Sequence, residues 1–231
     1  MNNPLIKKIS LSKNSNTASL SSIALKEAFL ILLVIISTLV TISAGYATSI
    51  TTIVTGILGL LLVLFIAFYP QYSKLIAPLY AILEGMFLAG GSLMLETLYP
   101  GIVIQAILLT VCIALITAFI YASRIIRVNE QFKLMTTMSL GGLLGCYIVQ
   151  FIATNLFNFS FTILNSGFLG IIIDIIIIGL AIACLLVDYE DINKLVKQGA
   201  SKEQEWYYAI SLLITLIWLY IRALELLKST K

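Results

Sequence analysis

Histidine is absent from this chain of 231 residues, charge is scarce, and proline and cysteine are few. Each shortage excludes something. Without an imidazole, a response to pH near neutrality has to come from carboxylates in unusual surroundings or from cysteine. Charged residues make up 11% of the chain, where a soluble domain carries about 25%, so a water-soluble globular fold is excluded. The net charge of +3 comes from scattered basic residues, which removes nucleic acid as a partner. Cys112, Cys146 and Cys184 are an odd number without CxxC spacing, all inside apolar runs, and indicate neither a disulfide framework nor a zinc site. No nucleophile–base pair or metal-ligand set stands out. The chain is therefore expected not to be an enzyme, with no catalytic residue, no resident cofactor and no metal site.

What fills the chain is hydrocarbon. Hydrophobic residues reach 60% and the mean hydropathy is +1.06. Several apolar runs attain the roughly 20 residues that a helix needs to cross a bilayer core. Seven spans are expected, over about 28–47, 50–68, 76–97, 101–121, 133–156, 163–187 and 206–227, with turn signals such as "YPQYSK" and "LYPG" between them. The fold class is thus an all-α integral membrane protein, a bundle of seven transmembrane helices whose partner is the lipid bilayer. Residues 1–27, with "SLSKNSNTASLSS", read as a polar, flexible N-terminal arm ahead of a transmembrane domain over 28–231. The polar lead is too long for a cleaved signal peptide.

Lys7, Lys8, Lys13, Lys26, Lys74, Arg124, Arg127, Lys133, Lys194, Lys197 and Lys202 all fall on one side of the seven spans, against Lys228 and Lys231 on the other, with Arg222 near them. The excess of positive charge marks the cytoplasmic side, so the N-terminus is expected inside and the C-terminus outside. Gly141 and Gly145 form a GxxxG in the fifth span, and "LAGGS" is a similar run of small residues in the third. Both are expected to serve ordinary helix packing.

The polar residues inside the spans are the candidate functional groups, because an ionisable side chain at membrane depth is costly and is functional by default. The stretch "GIIIDIIIIG" places Asp174 among isoleucines. On a helix its face runs Gly167, Gly170, Asp174, Ile177 or Ile178, Ala181, Cys184 and Asp188, the smaller and more polar side, so Asp174 is expected to face protein. In the seventh span Tyr208, Ser211, Thr215, Trp218, Arg222 and Glu225 form one stripe, expected inside the bundle. Counting from Asp188 and from Trp206 as the cytoplasmic ends puts Asp174 at roughly 21 Å and Arg222 at roughly 24 Å. An intramembrane ion pair between Asp174 and Arg222 is expected, either as a gate or as a structural lock on helix register. Glu84 in "YAILEGMFLAGG" stands about 9 Å above Pro78, with Thr215 at a similar level and Asp188 below both at the inner mouth.

The long stretches "APLYAILEGMFLAGGSLMLETLYPGIVIQAILLT" and "LLVDYEDINKLVKQGASKEQEWYYAISLLITLIWLYIRALELL" resemble the Bax inhibitor, or transmembrane Bax inhibitor motif, proteins, in their bacterial YccA-like branch. The resemblance runs from "KEAFLILLV" onward. It implies a seven-helix bundle with the C-terminal helix central, in the inner membrane of a bacterial cell. It also implies a pH-sensitive calcium leak and cytoprotection, with calcium as a transient ligand; some bacterial members bind a membrane-embedded AAA protease. Carried over, the family's aspartate at the cytoplasmic end of the sixth span is Asp188 and its "EG" glutamate is Glu84. The second aspartate of its pH sensor falls on Thr215, so the di-aspartyl pair is incomplete. The expected function is a cation leak lined by Glu84, Thr215 and Asp188. The alternative is a non-conducting regulator that binds such a protease.

Overall fold

A computed structural model describes residues 17–157 and 167–231. Seven helices long and apolar enough to cross a membrane are present among them. They are α1 (Leu20–Ser43), α2 (Ser49–Phe68), α3 (Ser73–Leu98), α4 (Ile102–Ala122), α5 (Glu130–Phe157), α6 (Gly167–Lys197) and α7 (Glu205–Ser229), with 3-10 turns at Pro70–Tyr72 and Lys202–Gln204. Among the described residues the only bridge between extended segments is the isolated antiparallel pair Thr17 and Ser201. The chain is a multi-pass membrane protein. In a bilayer only closed hydrogen-bond schemes are tolerated, and the helix closes its own.

The helix ends follow local chemistry. Ser19 caps α1, its Oγ accepting from the Ser22 amide at 3.2 Å, and Thr48 caps α2 in the same way through the Thr51 amide. Each replaces an intrahelical partner that the first turn lacks. At the start of α4 the Glu96 carboxylate accepts from the amides of Gly101 at 2.7 Å and Val103 at 3.0 Å. Two expected boundaries shift. α1 begins at Leu20, so residues 20–27 of the expected arm are helical; residues 1–16 lie outside the described residues, as do 163–166 of the expected sixth span. α6 runs on through "DYEDINKLVK" to Lys197 and stops only before Gly199, whose φ of +85° suits a residue without Cβ. Charge ends a hydrophobic run, but it does not end a helix.

The chain divides into two compact units, residues 1–94 with 191–213 and residues 95–190 with 214–231. In the first, α3 packs tightly on α1. Ser37 Oγ donates to the Ile82 carbonyl at 2.7 Å and Thr38 Oγ1 to that of Gly85 at 2.9 Å. A Cβ on Gly85 would lie 2.5 Å from the Val34 carbonyl oxygen and 2.7 Å from Ser37 Cβ, and one on Gly90 would collide with Thr52 of α2. Of the glycines in "LAGGS", Gly90 thus permits a close approach, while Gly91 has nothing within 4 Å of a Cβ position. In the fifth span Gly141 and Gly145 likewise have nothing within 4 Å of a Cβ position. In the second unit Ile102 and Ala106 of α4 meet Ala223 and Leu224 of α7, and Ile178 and Ala181 of α6 meet Leu219.

α7 is the helix most withdrawn from its surroundings in one respect: no residue from Trp206 to Leu227 is exposed. The polar stripe was expected to turn inward, and every position of the helix from Trp206 to Leu227 is buried or half-buried. On α6 the expected face is also found, with Gly170, Ile177, Ile178 and Ala181 buried while Ile172, Ile175 and Ile176 are exposed.

These contacts predict a contrast between two glycines. Gly85→Ala forces α1 and α3 apart and is expected to cost about 1–3 kcal/mol, as overpacking does. Gly141→Ala should change thermal stability in detergent by no more than about 0.5 kcal/mol, the usual scatter for a change that touches nothing. Equal melting temperatures for the two variants would overturn the α1–α3 packing described.

Candidate functional site

Three groups of polar side chains sit within the spans. The first belongs to the first unit. Glu84, on α3, is 9% exposed and hydrogen-bonds Tyr80, one turn earlier on the same face. Gly59 of α2 lies opposite: a Cβ there would be 3.2 Å from Glu84 Oε2 and 3.8 Å from the Tyr80 ring. A Cβ at this position would press on the carboxylate. Tyr80 was legible in principle from its i, i+4 spacing to Glu84. Gly59 was not, since nothing in the sequence pairs α2 with α3 at that register.

The second group is in the second unit. Thr215 Oγ1 of α7 donates to Asp188 Oδ2 of α6 at 2.7 Å, and both residues are half-buried. Close by on α6, Glu190 Oε2 accepts from the Tyr121 hydroxyl at 3.0 Å, and the Tyr121 and Tyr189 rings stand 5.7 Å apart. Of the three residues expected to line a path, Asp188 and Thr215 are thus brought together, while Glu84 has its contacts in the other unit. Asp188 was expected below Thr215, at the inner mouth. It stands level with it instead, because α6 continues past Asp188 to Lys197.

The same shift corrects the expected ion pair. Asp174 and Arg222 do not form it. Fourteen residues separate Asp174 from Asp188, and fourteen separate Thr215 from Ser229, about 21 Å of helix in each case. With Asp188 bonded to Thr215 on an antiparallel neighbour, Asp174 must reach the level of Ser229, and Ser229 Oγ donates to Asp174 Oδ2 at 3.1 Å. Arg222 finds nearer partners. It forms an ion pair with Glu225, one turn on, Nη1 donates to the Tyr147 hydroxyl of α5 at 2.9 Å, and the guanidinium lies 5.7 Å from the centre of that ring. Its Nε is buried without a hydrogen-bond partner. Arg222 and Glu225 are neighbours on the stripe, and Tyr147 is the partner that the sequence did not reveal.

Among the described residues no three carboxylates or cysteines gather into a group that could hold a metal ion. The three groups instead set carboxylates beside hydroxyls, at Glu84 and Asp188, or beside a guanidinium, at Glu225. Chemically such groups can attract a cation and exchange ligands with it. They do not build the six- to eight-oxygen cage of a storage site for calcium.

Compared with known families, residues 3–231 match the family model described as Bax inhibitor 1 like. No curated protein and no solved structure matches the chain.

The contacts of Arg222 predict coupling where they exist. Glu225→Gln leaves a mostly buried guanidinium short of its charge partner and should cost about 1–3 kcal/mol of stability in detergent. Arg222→Gln combined with Glu225→Gln should depart from additivity by about 0.5–3 kcal/mol. Strict additivity of that pair, together with strong coupling between Asp174→Asn and Arg222→Gln, would restore the ion pair that the structure replaces.

Proposed function

The chain belongs to the Bax inhibitor 1 like family, and on that premise we propose that it is a cation leak pathway of the bacterial plasma membrane, passing calcium. In this reading the N-terminus is cytoplasmic and the C-terminus outside, as the distribution of lysine and arginine favours. Glu84 in one unit and the Asp188–Thr215 pair in the other are the groups that a permeating cation meets.

The observation that carries the reading is the hydrogen bond from Thr215 to Asp188. A carboxylate inside a span needs partners, and a hydroxyl is an adaptable one. It donates its single proton to the carboxylate and keeps two lone pairs. A cation arriving at Asp188 gains the carboxylate oxygens, and a small rotation of the threonine turns its lone pairs toward the ion as well. The carboxylate and the hydroxyl together offer oxygen ligands to a cation. A latch built from two carboxylates works differently, since it is held shut by a proton shared between them. The threonine has no such proton to lose, so here opening is not tied to pH through this contact.

Liposomes loaded with a calcium dye test the proposal. Glu84→Gln and Asp188→Asn should each slow calcium entry by about tenfold, the factor that ~1.4 kcal/mol of lost cation stabilisation represents, with folded yield unchanged. Entry at the rate of the parent would remove the substituted residue from the pathway. If the parent itself admits no calcium, the second reading gains: a non-conducting regulator bound to a membrane-embedded AAA protease. Pull-down of the protease before and after truncation would then decide, and the truncation must stop before Thr17, because residues from there onward are docked.

The pH dependence follows separately. Entry through the parent should vary smoothly between about pH 6 and 8, the range in which a coupled carboxylate pair can titrate. Thr215→Asp should introduce a step, with entry rising as pH rises and the shared proton is lost. A sharp step in the unaltered protein would contradict the role given to Thr215.

A further inference from the structure

A further polar assembly lies apart from these groups, where the beginning of α1 meets the beginning of α7, and every residue of it is in the first unit. Glu205 opens α7 and its side chain is 1% exposed. A carboxylate so deeply covered requires donors, and it has three. Oε1 accepts from the Ser19 amide at 2.9 Å, Oε2 accepts from Ser22 Oγ at 2.7 Å, and Lys26 Nζ completes an ion pair with Oε2. The next residue, Trp206, lies under Lys26 Nζ at 5.3 Å from its ring centre and meets the Phe29 ring edge-on at 6.2 Å and 82°. Ser19, Ser22, Lys26 and Phe29 are spaced three and four apart, so they form a single stripe on α1, and that stripe receives Glu205 and Trp206 together.

The segment ahead of α1 adds to the same junction. The Ala18 amide donates to the Ala200 carbonyl at 2.8 Å, and Thr17 and Ser201 form the antiparallel bridge. The turn they hold is itself shaped by Gly199 at positive φ and by a capping box between Ser201 and Gln204. The negative charge of Glu205 also sits where the α7 dipole favours it. Apolar side chains of similar volume would glue two helices as firmly as a buried ion pair does. What this arrangement adds is register, because three donors on one carboxylate allow only one height and one rotation of α7 against α1.

We propose that residues 17–29 are a clasp with Glu205 as its catch, and that the closed clasp fixes the start of α7 and keeps the leak low. α7 is one continuous helix from Glu205 to Ser229, so Thr215 lies on the helix whose start the clasp holds. The statement about the leak rests on the reading of the preceding section; the clasp itself does not. Glu205 in this scheme is a positioning residue and does not touch the permeating ion.

The chain has two tryptophans, so in a Trp218→Phe background the emission of Trp206 reports on the clasp directly. Glu205→Gln and Lys26→Met should each shift that emission to the red and raise its quenching by acrylamide, whereas Leu25→Ala, at a side chain 73% exposed, should change neither. Opening should also raise calcium entry into the same vesicles. The reverse test keeps every native contact of Glu205. Paired residues of an antiparallel bridge have Cα atoms about 4.5–5.5 Å apart, within the span a disulfide needs. Thr17→Cys with Ser201→Cys, in a chain whose other cysteines are serine, should therefore cross-link on mild oxidation in the membrane. Oxidation should lower calcium entry and reductant should restore it, with neither single-cysteine variant responding. Failure to cross-link, or an unmoved Trp206 emission in Glu205→Gln, overturns the clasp. Cross-linking without any change in entry overturns its control of the leak. If no variant admits calcium, the leak itself is refuted, and the Trp206 emission decides the clasp alone.

Discussion

Inside a bilayer a polar group has no water to turn to, and the arrangement of this protein is governed by where each such group finds a partner. The backbone solves the problem within each helix, which is why all seven spans are helical. The side chains have to solve it with one another. Serines and threonines of α1 bond to carbonyls of α3, and they can do so because Gly85 lets the two backbones approach. Glu84 lies against Gly59 and hydrogen-bonds Tyr80, Asp188 is met by Thr215, and Arg222 is met by Glu225 and Tyr147.

The partners differ in kind, and the kinds suggest different work. A hydroxyl on a carboxylate is a contact that a passing cation can share, because the hydroxyl keeps lone pairs for it. A guanidinium between a carboxylate and a tyrosine is a contact that excludes cations. A carboxylate enclosed by an amide, a hydroxyl and an ammonium, as Glu205 is, already has its countercharge in place. Carboxylates therefore stand in three settings: beside a hydroxyl at Asp188, beside a guanidinium at Glu225, and among an amide, a hydroxyl and an ammonium at Glu205.

α7 joins these roles. Its first residue is the catch for α1, its middle carries the hydroxyl that reaches Asp188, and its end carries Arg222, Glu225 and Ser229. A helix with no exposed position from Trp206 to Leu227 has little freedom to rotate without rearranging contacts around its whole girth. Control of such a helix is most readily exerted at an end, where the contacts are few and specific.

Composition and periodicity were enough to establish seven helical spans, the inward-facing stripe of α7 and the protected face of α6, because hydrophobic length and a 3.6-residue repeat are local properties of the chain. They also placed Glu84, Asp188 and Thr215 among the groups to watch. Register between helices was another matter. The loss of hydrophobicity at Asp188 looked like the end of a helix, yet α6 continues to Lys197, and that displacement moved Asp174 from the level of Arg222 to that of Ser229. The roles of Gly59, Tyr147 and Glu205 depend on residues far away in the chain, so no local pattern could announce them. What the amino-acid order determined by itself was which segments cross the membrane and which of their faces seek protein. The height at which those faces meet was decided only in the tertiary structure, because helix contacts are set by how side chains on separate helices fit, and no span carries that information alone.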